Sequence, residues 1–283
     1  MLRFAANLSF LYQELPFLER FDAAARDGFA GVECLFPYDV PAVELRARAT
    51  ALGLSIVLIN APPGEWAAGE RGLASVEGRE GDFRESIERA LAYASVVASA
   101  RVHVLAGLLP NGGQRDAALA RYEERLHWAA SLAARSGIDL MIEPINPVDM
   151  PGYLLQRQDE ARAIVERVGA ANLKVQMDLY HCERVEGDVV AQVRRYLPTG
   201  HVGHFQIAGV PDRHEPDEGT LDWRGACAAI DEIASATGWG GWIGCEYRPR
   251  RGAVPGGTSA GLGWMTAMVA ASNQAMTRVS PSP

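Results

Sequence analysis

Eight short apolar runs, each followed by a stretch with helical periodicity, set the strongest limit on what this chain can fold into. The runs are Arg3–Asn7, Gly31–Phe36, Ser55–Ala61, Val102–Gly107, Leu140–Ile145, Lys174–Leu179, Gly203–Ala208 and Trp242–Tyr247. They are near-continuously apolar, which is the pattern of strands buried on both faces in a parallel sheet. Between them lie amphipathic stretches at Leu15–Asp27, Ala42–Leu52, Arg84–Ala100, Arg115–Ser136, Gln158–Arg167, Val189–Tyr196 and Trp223–Thr237, with a closing helix expected around Met265–Ser272. Gly28, Gly53, Gly137 and Gly238 stand where helical patterns stop, and Asp222 is placed to cap the helix that starts at Trp223.

Strands alternating with helices imply a parallel sheet under helical cover. An open doubly wound sheet is the main competitor. Its signature is missing: no GxGxxG follows the first strand, and the first loop, Leu8–Glu14, has no glycine. Eight units in 283 residues favour a closed (β/α)8 TIM barrel, a fold of about 250 residues. No composition break divides the chain, so one domain is expected over residues 1–279, with Ser280–Pro283 as a frayed tail. The segments Pro62–Gly81 and Ala208–Leu221 are irregular and each follows a strand, which places both at the mouth where barrel enzymes carry their sites.

The formal charge of −8 argues against a nucleic-acid partner, since phosphate contacts need surplus Lys and Arg. No apolar run approaches the roughly 20 residues of a membrane span. Cys34, Cys182, Cys227 and Cys245 form no CxxC pair and read as small buried residues of a reducing cytoplasm, the expected location. Assembly into a homo-oligomer is left open.

Polar residues mark the ends of the last four strands. They are Glu143, Asp178, with His181 just beyond it, Gln206 and Glu246. Each is about one strand–helix unit from the next, which brings all four around one axis. Buried carboxylates repel one another and are costly to ionise. A divalent cation would offset that cost, and all-oxygen ligands suit Mg²⁺ or Mn²⁺. Two glutamates on different strands could act as the paired acid and base of enediolate chemistry. His103 is expected near the start of the fourth strand, either buried and satisfied or part of the site. His204 is expected beneath Gln206.

These residues resemble the hydroxypyruvate isomerase family of the xylose-isomerase-like barrels. The resemblance rests on Phe4–Ser9, Gly64–Gly72, Ile142–Asn146 with Asp149–Tyr153, Gln176–His181, Gln206–Ala208 with Pro211, Arg213, Glu215, Pro216 and Gly219, and on Glu246, Tyr247, Pro249 and Gly261–Trp264. It implies a TIM-like barrel and aldose–ketose isomerisation of a small hydroxy-oxo acid, either hydroxypyruvate to tartronate semialdehyde or a 2-oxo-tetronate. Glu143 and Glu246 would be the catalytic pair, and with Asp178 and Gln206 would hold the metal. His181 and Arg213 would bind substrate oxygens, with Arg213 the expected carboxylate anchor. Trp66, Glu70 and Arg71 would form a lid that contacts substrate. Ketose 3-epimerases and dehydratases share the scaffold and are the alternative, followed by a non-catalytic sugar-acid binder. The chain departs from the family pattern at Gly209, where an Asp is expected, at Asn60–Pro63, and at Arg248, where Lys is common.

Overall fold

A computed structural model of the protein describes residues 2–109, 112–266 and 268. Eight parallel strands close into a barrel in sequence order, with β8 pairing back to β1. They are β1 (Phe4–Asn7), β2 (Gly31–Cys34), β3 (Ser55–Asn60), β4 (Arg101–His103), β5 (Asp139–Ile142), β6 (Leu173–Asp178), β7 (Val202–Ile207) and β8 (Ile243–Cys245). Every expected strand is present, and most are shorter than the apolar run that marks them. The longer runs continue into buried loops at the mouth.

The helices are α1 (Glu19–Arg26), α2 (Ala42–Ala51), α3 (Glu80–Val97), α4 (Arg115–Ala134), α5 (Gln158–Val168), α6 (Leu179–Val185), α7 (Val189–Tyr196), α8 (Trp223–Thr237) and α9 (Gly257–Ala260). Helix α3 starts one turn earlier than its apolar pattern, because Glu80 and Asp82 suit the positive end of the helix dipole. Helix α1 starts later, after the turn that contains Pro16. The expected closing helix at Met265–Ser272 falls mostly outside the described residues, as does the expected tail.

Two apolar layers hold the barrel. The outer one packs Phe21, Leu45, Ile87, Leu126, Ile164, Val193 and Ile230 from the helices against outward-facing strand residues. The inner one is a small separate cluster of Ala5, Val57, Leu58, Met141 and Trp242. Strand residues two apart share a face. Above Ala5 therefore comes Asn7, above Met141 comes Glu143, and above Trp242 come Gly244 and Glu246. The barrel interior is thus apolar toward its base and polar toward the C-terminal mouth.

Two register shifts break the ladder, at Val32/Glu33 against β3 and at Val175/Gln176 against β7. Bulges re-aim side chains and cluster near active sites. Here they stand beside Glu33 and Gln176, each 1 % exposed.

Candidate active site

The polar upper layer opens into a cavity of about 540 Å³ at the mouth, within the usual range for small-molecule sites. Glu143, Asp149, Gln176, His181, Arg213 and Glu246 all line it. Glu143 directly follows β5 and Glu246 directly follows β8, so strands on different sides of the barrel aim both carboxylates into one space.

Asp178 ends β6 and caps α6, its Oδ1 accepting from Tyr180 N at 2.8 Å. That cap fixes the first turn of α6 and therefore places His181. The other oxygen, Oδ2, lies 3.6 Å from His181 Nε2 and 3.4 Å from Arg213 Nη2. Arg213 Nη2 also donates to Glu246 Oε1 at 2.7 Å, and the guanidinium lies between the Phe10 and Tyr180 rings. Arg213 is therefore the counter-charge of the buried carboxylates and has little left for a substrate carboxylate.

The tautomer of His181 follows from its neighbours. Asn146 Oδ1 accepts from Val148 N and Asp149 N at 3.0 and 2.9 Å, which turns its amide nitrogen toward His181 Nδ1 at 2.7 Å. Nδ1 thus accepts, the ring proton sits on Nε2, and Nε2 faces Asp178 and Glu143 as a donor. Burial, then the charge of Arg213, pushes the His181 pKa well down, so the ring is neutral.

A network that the sequence did not reveal lies beneath the carboxylates. Glu33 accepts from Asn7 Nδ2 at 2.9 Å and from Gln206 Nε2 at 2.7 Å, and pairs with His204 Nε2 at 2.7 Å. Gln206 Nε2 also donates to Glu246, which takes a further bond from Asn7 at 3.2 Å. Gln206 Oε1 accepts from Gln176 at 2.6 Å. Gln206 therefore shows nitrogen, not oxygen, to Glu33 and Glu246, and does not stand in the cavity wall. The available signal was one charged residue inside an otherwise apolar strand, Gly31-Val32-Glu33-Cys34.

Burial shifts the acids upward. Glu143 is pushed well up by burial and by the charges of Glu246 and Asp178. Glu246 is pushed up to about 8 by burial, with Arg213 opposing. Asp178 is pushed up to about 6 by burial, again opposed by Arg213. Among the described residues no donor lies within hydrogen-bond distance of the Glu143 carboxylate; His103 and His181 approach it at 3.6 and 3.9 Å.

Glu143, Asp178 and His181 each offer one atom within 4.8 Å of the others, a grouping that could hold a metal ion. The donor chemistry divides. The carboxylate oxygens are buried acceptors short of positive charge, which fits a hard divalent cation. His181 carries its proton on the nitrogen that would have to ligate.

Of the expected lid residues, Trp66 and Arg71 line the cavity. The Arg71 guanidinium stacks on the Trp66 ring at 3.9 Å, and Nη1 donates to the carbonyls of Trp66 and Glu70. The Glu70 carboxylate turns away to Arg79 and to Glu65 N. No carboxylate pairs with Arg71 among the described residues.

A closed parallel barrel with convergent acids at the C-terminal mouth defines a (β/α)8-barrel enzyme. The sequence matches the xylose isomerase-like TIM barrel family over residues 21–268, and the chain belongs to that family. It is 56% identical over 265 residues to the 2-oxo-tetronate isomerase of Cupriavidus necator, covering 94% of this chain and 98% of that one. It is 40% identical over 265 residues to the hydroxypyruvate isomerase of Escherichia coli, with the same coverage. Among solved structures, one described as an AP endonuclease, family 2, from Brucella melitensis superposes with a TM-score of 0.88 at 43% identity, covering 94% of this chain and 99% of that one. No helix among the described residues is long and apolar enough to cross a membrane.

Proposed function

We propose that the protein isomerises a small hydroxy-oxo acid, either hydroxypyruvate to tartronate semialdehyde or a 2-oxo-tetronate to its 3-oxo isomer, with Glu143 and Glu246 as acid and base. The observation that carries this is the convergence of two buried glutamates, both held toward the protonated form, on one cavity. The isomerases of two bacteria named above support the substrate class.

In this reading one glutamate takes the proton from the hydroxyl-bearing carbon. Electrons move toward the carbonyl, giving an enediolate; the other glutamate returns a proton to the former carbonyl carbon while the hydroxyl proton passes to the former carbonyl oxygen, so the carbonyl moves by one carbon. His181 Nε2–H donates to a substrate oxygen as negative charge grows there. Arg213 keeps Glu246 and Asp178 in place and moderates their repulsion. Arg71 takes the substrate carboxylate, because its guanidinium has no acidic partner and Trp66 holds it flat at the cavity wall. Trp66 and Arg71 also cover the mouth and limit water near the reactive intermediate.

Glu143, Asp178 and Glu246 would hold a divalent cation, Mg²⁺ or Mn²⁺. Gln206 would join them only by turning its amide. Such an ion, when bound, polarises a carbonyl and acidifies the adjacent C–H.

The test is steady-state turnover of both acids by the wild-type protein, Glu143→Gln and Glu246→Gln. Loss of a positioned acid or base should cost about 100- to 10,000-fold in kcat. Wild-type-like turnover in either variant would reject the assignment.

A further inference from the structure

Some buried polar atoms have no use in the proton transfer just described. His103 ends β4, is 1 % exposed and lines the cavity. Neither of its ring nitrogens has a hydrogen-bond partner among the described residues. The Glu143 carboxyl oxygen Oε2 stands 3.6 Å from Nε2, outside bonding range. A neutral imidazole in that place offers one donor and one acceptor.

Gln176 presents a second such orphan to the same cavity. Glu33 fixes the nitrogen of Gln206, Gln206 Oε1 then fixes the nitrogen of Gln176, and Gln176 Oε1 is left buried without a partner. Each unpaired buried atom costs about 1–3 kcal/mol. Three in one cavity wall are retained most economically where a ligand satisfies them.

We infer that His103 and Gln176 form a subsite for the terminal hydroxyl of a four-carbon hydroxy-oxo acid, so that the cavity is built for that substrate over a three-carbon one. The inference rests on the isomerase reading above. There the carboxylate lies under Arg71, on the loop that follows β3, and the two reacting carbons lie between the glutamates. A three-carbon acid ends at the second reacting carbon. A four-carbon acid continues one CH₂OH further, and that group would enter the part of the cavity lined by His103 at the end of β4 and Gln176 of β6. Its hydroxyl can accept from the His103 N–H and donate to Gln176 Oε1, which pairs two of the three orphaned atoms.

The experiment compares kcat/KM for hydroxypyruvate, a 2-oxo-tetronate and 3-hydroxy-2-oxobutanoate, the tetronate's 4-deoxy counterpart. Wild type should favour the tetronate over its deoxy counterpart by about 10- to 100-fold, the worth of a buried hydrogen bond or two. His103→Leu should abolish that preference and lower the tetronate-to-hydroxypyruvate ratio by the same factor. His103→Gln, which keeps a donor and an acceptor, should recover part of it. Removing the hydroxyl and the imidazole together should cost no more than removing either. Equal loss on all three acids in His103→Leu, or a wild type indifferent to the hydroxyl, overturns the subsite and leaves the isomerase reading standing. A wild type inactive on all three overturns both. If His103→Leu does not fold, the wild-type comparison alone decides.

Discussion

Asn146 shows how much one side chain can set in this site. Its carbonyl oxygen is held by two backbone amides, so its nitrogen has no choice but to face His181. Asn146→Asp replaces that donor with an acceptor and should move the imidazole proton from Nε2 to Nδ1. Nitrogen NMR of the labelled protein reads the tautomer directly. The same variant should lose about 10- to 100-fold in kcat/KM, because Nε2 no longer donates to the substrate. An unchanged tautomer contradicts the network drawn here. The carboxylates carry a pH prediction with a definite sign. Glu246 moves up from its ordinary 4.5 to about 8 through burial, so the metal-free protein holds it protonated across that window. A base so placed gains activity as pH rises through about 8. A bound divalent cation favours the charged form and should shift that limb to lower pH. Kinetics with chelator and with added Mn²⁺ measure the displacement. The linked stability term has the opposite slope. A carboxylate raised by folding stabilises fully below its unfolded pKa and loses that contribution as pH rises through the folded value. The Tm of the chelated protein should therefore decline across this range, and Glu246→Gln should flatten the decline.

At the scale of elements, the strands were legible and their shortest details were not. Strands buried on both faces produce continuous apolar runs, and those runs located all eight. The helix α6 escaped because seven residues are too few to show a period. Its start was nonetheless written in Asp178, whose capping oxygen takes Tyr180 N. His103 was expected near the start of a longer fourth strand. The ladder instead stops at His103 itself, which brings the ring to the mouth and leaves both nitrogens unpaired. Nothing local to Glu33 reveals that Asn7 on β1 and His204 and Gln206 on β7 meet it in space. Its seat depends on β8 as well. A Cβ at Gly244 would fall 2.3 Å from Glu33 Oε2, so the carboxylate occupies the space a side chain would fill. Gly244→Ala should destabilise the fold by about 1–3 kcal/mol, the usual cost of overpacking. Urea denaturation would show it, and an unchanged midpoint would mean that Glu33 is not held there.

Over the whole molecule, the barrel does one thing the linear sequence only implies. It takes acids separated by a strand–helix unit or more and turns them onto a common cavity. Spacing at strand ends was enough to nominate Glu143 and Glu246, which line that cavity, and Asp178, which meets His181 and Arg213 at its wall. It was not enough to rank the arginines. Arg213 was the expected substrate anchor, and its guanidinium meets Glu246 and Asp178, whereas Arg71, Arg184 and Arg248 line the mouth with no carboxylate partner among the described residues. Charge accounting of that kind needs three dimensions. The central claim is that two glutamates from the fifth and eighth staves pass a proton between adjacent carbons of one small acid. Deuterium uptake from D₂O, followed by NMR at each substrate carbon, tests it most directly. Wild type should exchange hydrogen at both reacting carbons, and each single glutamine variant should silence exchange at the carbon its glutamate serves. Full exchange at both carbons in either variant would contradict the account.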